Sequence, residues 1–71
     1  MQKSVKKIRA IDGRQTSIAL EPIFWTAIQH VSNRSGRTWK QWTEQQISKA
    51  PAETHNLTSW IRSQVIQELM T

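Results

Sequence analysis

The chain has 71 residues and no cysteine, so it makes one small domain that no disulfide or thiolate metal site can brace. Ten Lys and Arg against five Asp and Glu give a net charge of +5, which points to a polyanion, either nucleic acid or an anionic membrane surface. A hydrophobic share of 37% with four Trp excludes a disordered chain. No run approaches the about 18 apolar residues of a transmembrane helix, and no apolar core of about 7–15 residues follows the opening lysines, as a secretory signal needs; a cytoplasmic protein is expected.

Positive charge is concentrated early. Residues 1–20 carry Lys3, Lys6, Lys7, Arg9 and Arg14 against Asp12, whereas residues 51–71 carry only Arg62 against Glu53 and Glu68. Residues 1–13 are polar and basic, with Val5, Ile8 and Ile11 too widely spaced to build a core and Asp12-Gly13 as a turn pair. They read as a flexible basic arm ahead of a domain spanning residues 14–71. RQTSIAL then alternates, with Thr16, Ile18 and Leu20 on one face and Gln15, Ser17 and Ala19 on the other, which predicts a short half-buried β-strand.

Glu21-Pro22 changes the period: proline suits the first helical position and a carboxylate suits the positive end of the helix dipole. Phe24, Ala27, Ile28 and Val31 follow at helical spacing, and Gly36 is placed to end the element in a left-handed conformation. Thr38 with Gln41 forms a capping box that starts a second helix, which stops before Pro51. Leu57, Trp60, Ile61, Val65 and Leu69 recur at helical spacing and predict a third. The fold class is therefore mostly α, one N-terminal strand followed by two to three helices.

A lone strand leaves backbone N–H and C=O groups without partners, and burying them so is costly. The expected solution is the same strand of a second chain, paired antiparallel about a two-fold axis. That expectation also fits self-association as the usual support of a short chain without disulfides.

The run RQTSIALEPIFWTAI, the Gly36-Arg37-Thr38 helix opening and the run NLTSWIRSQVIQEL together resemble the bacterial ribbon-helix-helix proteins of the Arc and MetJ type. The subgroup is the one with an R-x-T-S-aliphatic-x-Leu-Glu strand followed by Phe-Trp in the first helix, and the resemblance covers about residues 14–70. It implies a homodimer whose two strands form an antiparallel ribbon in the DNA major groove. Gln15, Ser17 and Ala19 would then face base edges, and Arg14 at the strand entry would reach a base or a phosphate. The family's backbone clamp, made by amides at the start of a helix after the first, corresponds to Arg37, Thr38, Trp39 and Lys40. Both the helix begun at Thr38 and the one from Asn56 to Met70 are candidates for the usual second helix.

The chemistry of groove reading fits these residue types. Gln15 can bind adenine bidentately, Arg14 can fork onto guanine, Ser17 serves either base and Ala19 touches a thymine methyl. Lys3, Lys6, Lys7 and Arg9 of the arm are expected to follow the phosphate backbone or enter the adjacent minor groove. The tryptophans read as packing residues, with Trp25 beside the apolar stripe and placed to pack across the two-fold axis. His30 and His55 are isolated, and Asp12, Glu21, Glu44, Glu53 and Glu68 do not pair at a catalytic spacing. No enzyme, metal, cofactor, small-molecule substrate or membrane partner is expected. The reading is a homodimeric transcriptional regulator, a repressor, that binds double-stranded DNA on the nucleoid. Two alternatives stay open: an antitoxin-like module whose C-terminal helix also grips a protein, and a dimeric adaptor that kept the fold and lost DNA binding.

Overall fold

The computed structural model describes residues 2–9, 13 and 15–71. Its elements run β1 (Ser4–Arg9), β2 (Gln15–Leu20), α1 (Pro22–Arg34), α2 (Trp39–Lys49) and α3 (Leu57–Leu69). The mostly helical architecture is the expected one; the N-terminal segment is not. Ser4–Arg9, expected as part of a flexible arm, is a strand, and it pairs antiparallel with β2 of the same chain. The missing partner strand that motivated pairing with a second copy is thus supplied from within.

The register explains why. Ser4 faces Leu20, Lys6 faces Ile18 and Ile8 faces Thr16, and these pairs form the inner face of the hairpin. Ile8 is 1% exposed, so a single aliphatic side chain anchors β1 to the core beside Ile18 and Leu20. Between the strands, Gly13 has φ +91°, a left-handed value that favours glycine.

The helices begin and end where their local chemistry requires. Glu21 precedes α1 and Pro22 occupies its first turn, where its missing N–H has no cost. At the other end, Arg37 N–H donates to the Ser32 carbonyl and Gly36 N–H to that of Asn33, with Gly36 at φ +71°. This is the Schellman arrangement that closes a helix on a left-handed residue. Both halves of the capping box at α2 are made: Gln41 N–H donates to Thr38 Oγ1 at 3.1 Å and Thr38 N–H to Gln41 Oε1 at 3.0 Å. Ala50 is extended ahead of Pro51, and Asn56 caps α3 by accepting from Ser59 N–H.

The core joins Ile8, Ile18 and Leu20 of the hairpin to Trp25, Ile28 and Val31 of α1, Trp42 and Ile47 of α2, and Ile61 and Val65 of α3. Three indole N–H groups find acceptors across elements. Trp25 Nε1 donates to the Ser4 carbonyl at 2.9 Å, Trp42 Nε1 to Glu68 Oε1 at 2.9 Å and Trp60 Nε1 to the Gln46 carbonyl at 2.7 Å. Trp25, expected at a two-fold axis, is instead buried within its own chain and ties α1 to β1. Among the described residues, no helix is long and apolar enough to cross a membrane.

Candidate nucleic-acid interface

Alternation along two paired strands gives the hairpin a second, outward face. It carries Val5 opposite Ala19, Lys7 opposite Ser17 and Arg9 opposite Gln15. Lys7, Arg9, Gln15 and Ser17 are exposed, Ala19 is half-buried and Val5 is 63% exposed. Three residues expected at base edges, Gln15, Ser17 and Ala19, therefore share one face. Arg14, the fourth, lies outside the described residues.

Lys6 parts company with the other cations of the N-terminal segment. It lies on the inner face, half-buried, with Nζ 5.4 Å from the Trp25 ring centroid and 5.1 Å from that of Trp39. The two rings meet edge to face at 5.8 Å, so the ammonium lies beside an aromatic pair of negative π-faces. Lys3, by contrast, is exposed.

Beside the hairpin end is an open depression of about 350 Å³, lined by Lys7, Ile8 and Arg9 of β1, Gln15 of β2, and Lys40 and Glu44 of α2. It brings the start of α2 to the basic end of the ribbon. Of the four residues expected to clamp phosphate through their amides, Arg37 and Thr38 already donate their N–H groups within the chain. The N–H groups of Trp39 and Lys40 have no backbone acceptor among the described residues. The Arg37 side chain is also engaged: its guanidinium donates to Ser35 Oγ and Gln45 Oε1 and approaches Glu68 at 4.0 Å. Trp39 is half-buried against the core, whereas Lys40 is exposed.

An ion pair that sequence reasoning missed fixes the base of the hairpin against α3. Arg62 donates to both carboxylate oxygens of Glu21, at 2.9 and 3.1 Å, and its guanidinium lies 5.6 Å from the Phe24 ring centroid. Its partners are 41 positions apart, a separation at which helical spacing gives no signal. The Glu21 carboxyl is held below the usual carboxylate range by its own backbone N–H first and by Arg62 second. Among the described residues, no cluster of three or more His, Cys, Asp or Glu could hold a metal ion.

The ribbon-helix-helix domain model matches residues 4–69, from the first residue of β1 to the last of α3. The chain belongs to the ribbon-helix-helix family. Domains of this family are typically DNA-binding regulators and generally not enzymes. The match begins at Ser4 and so takes in β1. Among solved structures, the fold is similar to that of an uncharacterized protein from Bordetella pertussis Tohama I, with a TM-score of 0.78 and 24% identity. That likeness covers 96% of this chain and 56% of the other, so this ribbon-helix-helix chain spans little more than half the length of its structural neighbour. No curated protein matches it.

Proposed function

We propose that the protein binds double-stranded DNA with the outward face of its β1–β2 hairpin, acts as a homodimer on the nucleoid, and represses transcription. The observation that carries the reading is the shared exposure of Gln15 and Ser17 on a two-stranded ribbon, beside the basic end formed with α2. A two-stranded ribbon fits the major groove, and Gln and Ser have the donors and acceptors to tell bases apart there. Phosphate contacts come from exposed Lys3 and Lys40 and from the amides of Trp39 and Lys40, which meet an anion at the positive end of α2. Between the two candidate helix starts, the depression favours α2, since no residue of α3 lines it.

Dimerisation has a support other than a missing partner. Among the described residues the sheet has two strands, so each has one edge without a strand neighbour, and such edges template pairing with another copy. A second hairpin added along one edge would present the recognition face twice and call for a symmetric site.

The test is a mobility-shift titration against salt, paired with sedimentation of the free protein. If each protomer neutralises about four phosphates, the dimer's log K falls against log salt with a slope near −7. A flat salt response refutes the reading, and a monomer at all concentrations, free and on DNA, refutes the dimer.

One observation favours a second reading, a module that also grips a protein through α3. Ile66, Leu69 and Met70 are 46%, 42% and 80% exposed, and helical spacing puts them near one another. On that reading Ile66→Ser releases a co-purifying small protein and leaves duplex affinity unchanged.

A further inference from the structure

We infer that Lys7 and Arg9 read base edges, so that one chain supplies both strands of its own recognition surface. This rests on the proposal that the hairpin faces duplex DNA, and it changes what β1 does there. As members of a loose arm, both residues would track phosphates. As alternate residues of a paired strand, they stand on the same face as the β2 residues that point at the groove floor.

Three features of that face support base contact. The first is register. Arg9 is directly opposite Gln15 and Lys7 opposite Ser17, and facing side chains in an antiparallel pair start about 5 Å apart. Successive outward residues on one strand are about 6.8 Å apart, close to two base steps of B-DNA at about 3.4 Å each. The four polar residues thus form a compact grid on the scale of neighbouring bases.

The second feature is chemical. Arg and Lys are the side chains that pair with guanine O6 and N7, and Gln pairs with adenine N6 and N7. Arg9 beside Gln15 therefore specifies a guanine near an adenine. Val5, opposite Ala19 and 63% exposed, continues the same face with an apolar surface suited to a thymine methyl.

The third feature is the selective placement of charge. Lys6, between Val5 and Lys7, is turned inward to Trp25 and Trp39, so the segment's basic residues are sorted by face. Glu44 lines the depression next to Lys7 and Arg9. Its carboxylate can accept from a cytosine amino group beside the guanine contacts of Lys7 and Arg9.

The experiment selects bound duplexes from a random-sequence pool with the full chain, comparing wild type, Arg9→Ala, Arg9→Lys, Lys7→Ala and Lys3→Ala. Arg9 and Lys7 are exposed, and circular dichroism of each variant verifies the fold. Arg9→Ala is expected to erase one guanine preference in each half-site. It should weaken the enriched duplex by about 5- to 150-fold, with little change on unrelated duplexes. Arg9→Lys keeps the charge but loses the fork, and it should relax the same position with an unchanged salt slope. Lys3→Ala should weaken all duplexes alike.

The inference is overturned if Arg9→Ala and Lys7→Ala keep the wild-type base preferences and weaken every duplex equally, each lowering the salt slope by about one, as phosphate contacts do. If wild type enriches no duplex, the underlying function reading falls and the inference falls with it, a result easily told from uniform weakening.

Discussion

The hairpin and the three helices hold their shape by different means. Each helix is closed by its own local devices: the Schellman turn after α1, the complete capping box before α2 and the Asn56 cap on α3. The hairpin has no such self-sufficiency, since an isolated pair of strands is marginal in water. It stays folded because Ile8, Ile18 and Leu20 dock on the helices, with Trp25 bonded to the Ser4 carbonyl. Its opposite face is left to solvent, polar at Lys7, Arg9, Gln15 and Ser17 and apolar at Val5 and Ala19. The helical layer thus supplies a platform, and the hairpin's outer residues are free to vary for recognition without loss of the fold.

That division of labour fails most completely when the keystone of the platform is removed. Trp42 is fully buried and joins α2 to α3 through Glu68. Trp42→Ala is expected to cost about 3–5 kcal/mol, a large share of the about 4–10 kcal/mol available to a domain of this size. Urea denaturation should find the variant's midpoint lowered further than that of Ile8→Ala or Glu21→Gln.

A smaller effect separates a docked strand from a loose arm. Ile8→Ala is expected to cost about 2–4 kcal/mol, because a core position is emptied. A solvated arm would lose less than about 0.5 kcal/mol at the same site, so the urea midpoint decides whether β1 belongs to the fold.

The smallest effect concerns the seam between hairpin and α3. Glu21 has a folded-state pKa below its unfolded value, so its contribution is fully present above the unfolded pKa of about 4.3 and fades as pH falls through the folded one. The stability difference between wild type and Glu21→Gln should therefore shrink on acidification from about pH 5. Because the pair is partly exposed, the effect should be modest and weaker in high salt. A difference that grows toward acid would contradict the pairing.

The helices were legible because their signals are local. Pro22, Gly36, Thr38 with Gln41, and the Leu57-to-Leu69 periodicity act within a few residues, and each does what its chemistry implies. β2 was legible for the same reason, its apolar residues alternating cleanly. β1 was not. Its inward positions are Ser4, Lys6 and Ile8, a pattern with one aliphatic and a lysine where a core residue belongs. What makes that lysine tolerable is the Trp25–Trp39 pair, brought to it only by tertiary structure. The same mechanism hides the place of Trp25, whose acceptor lies 21 residues away on β1. Of the candidate site, the β2 face was readable by alternation. The inward turn of Lys6, the intrachain engagement of Arg37 and the Glu21–Arg62 pair depend on long-range packing and left no periodic trace.

The indole N–H of Trp25 is held by the Ser4 carbonyl and its ring lies beside the Lys6 ammonium, so lifting β1 from the helices would strip a hydrogen bond and a cation from one chromophore together. The protein thereby carries an intrinsic fluorescent reporter of hairpin docking. Subtracting the emission of a Trp25→Phe variant would isolate that signal and let opening of the hairpin be followed in real time without any attached dye.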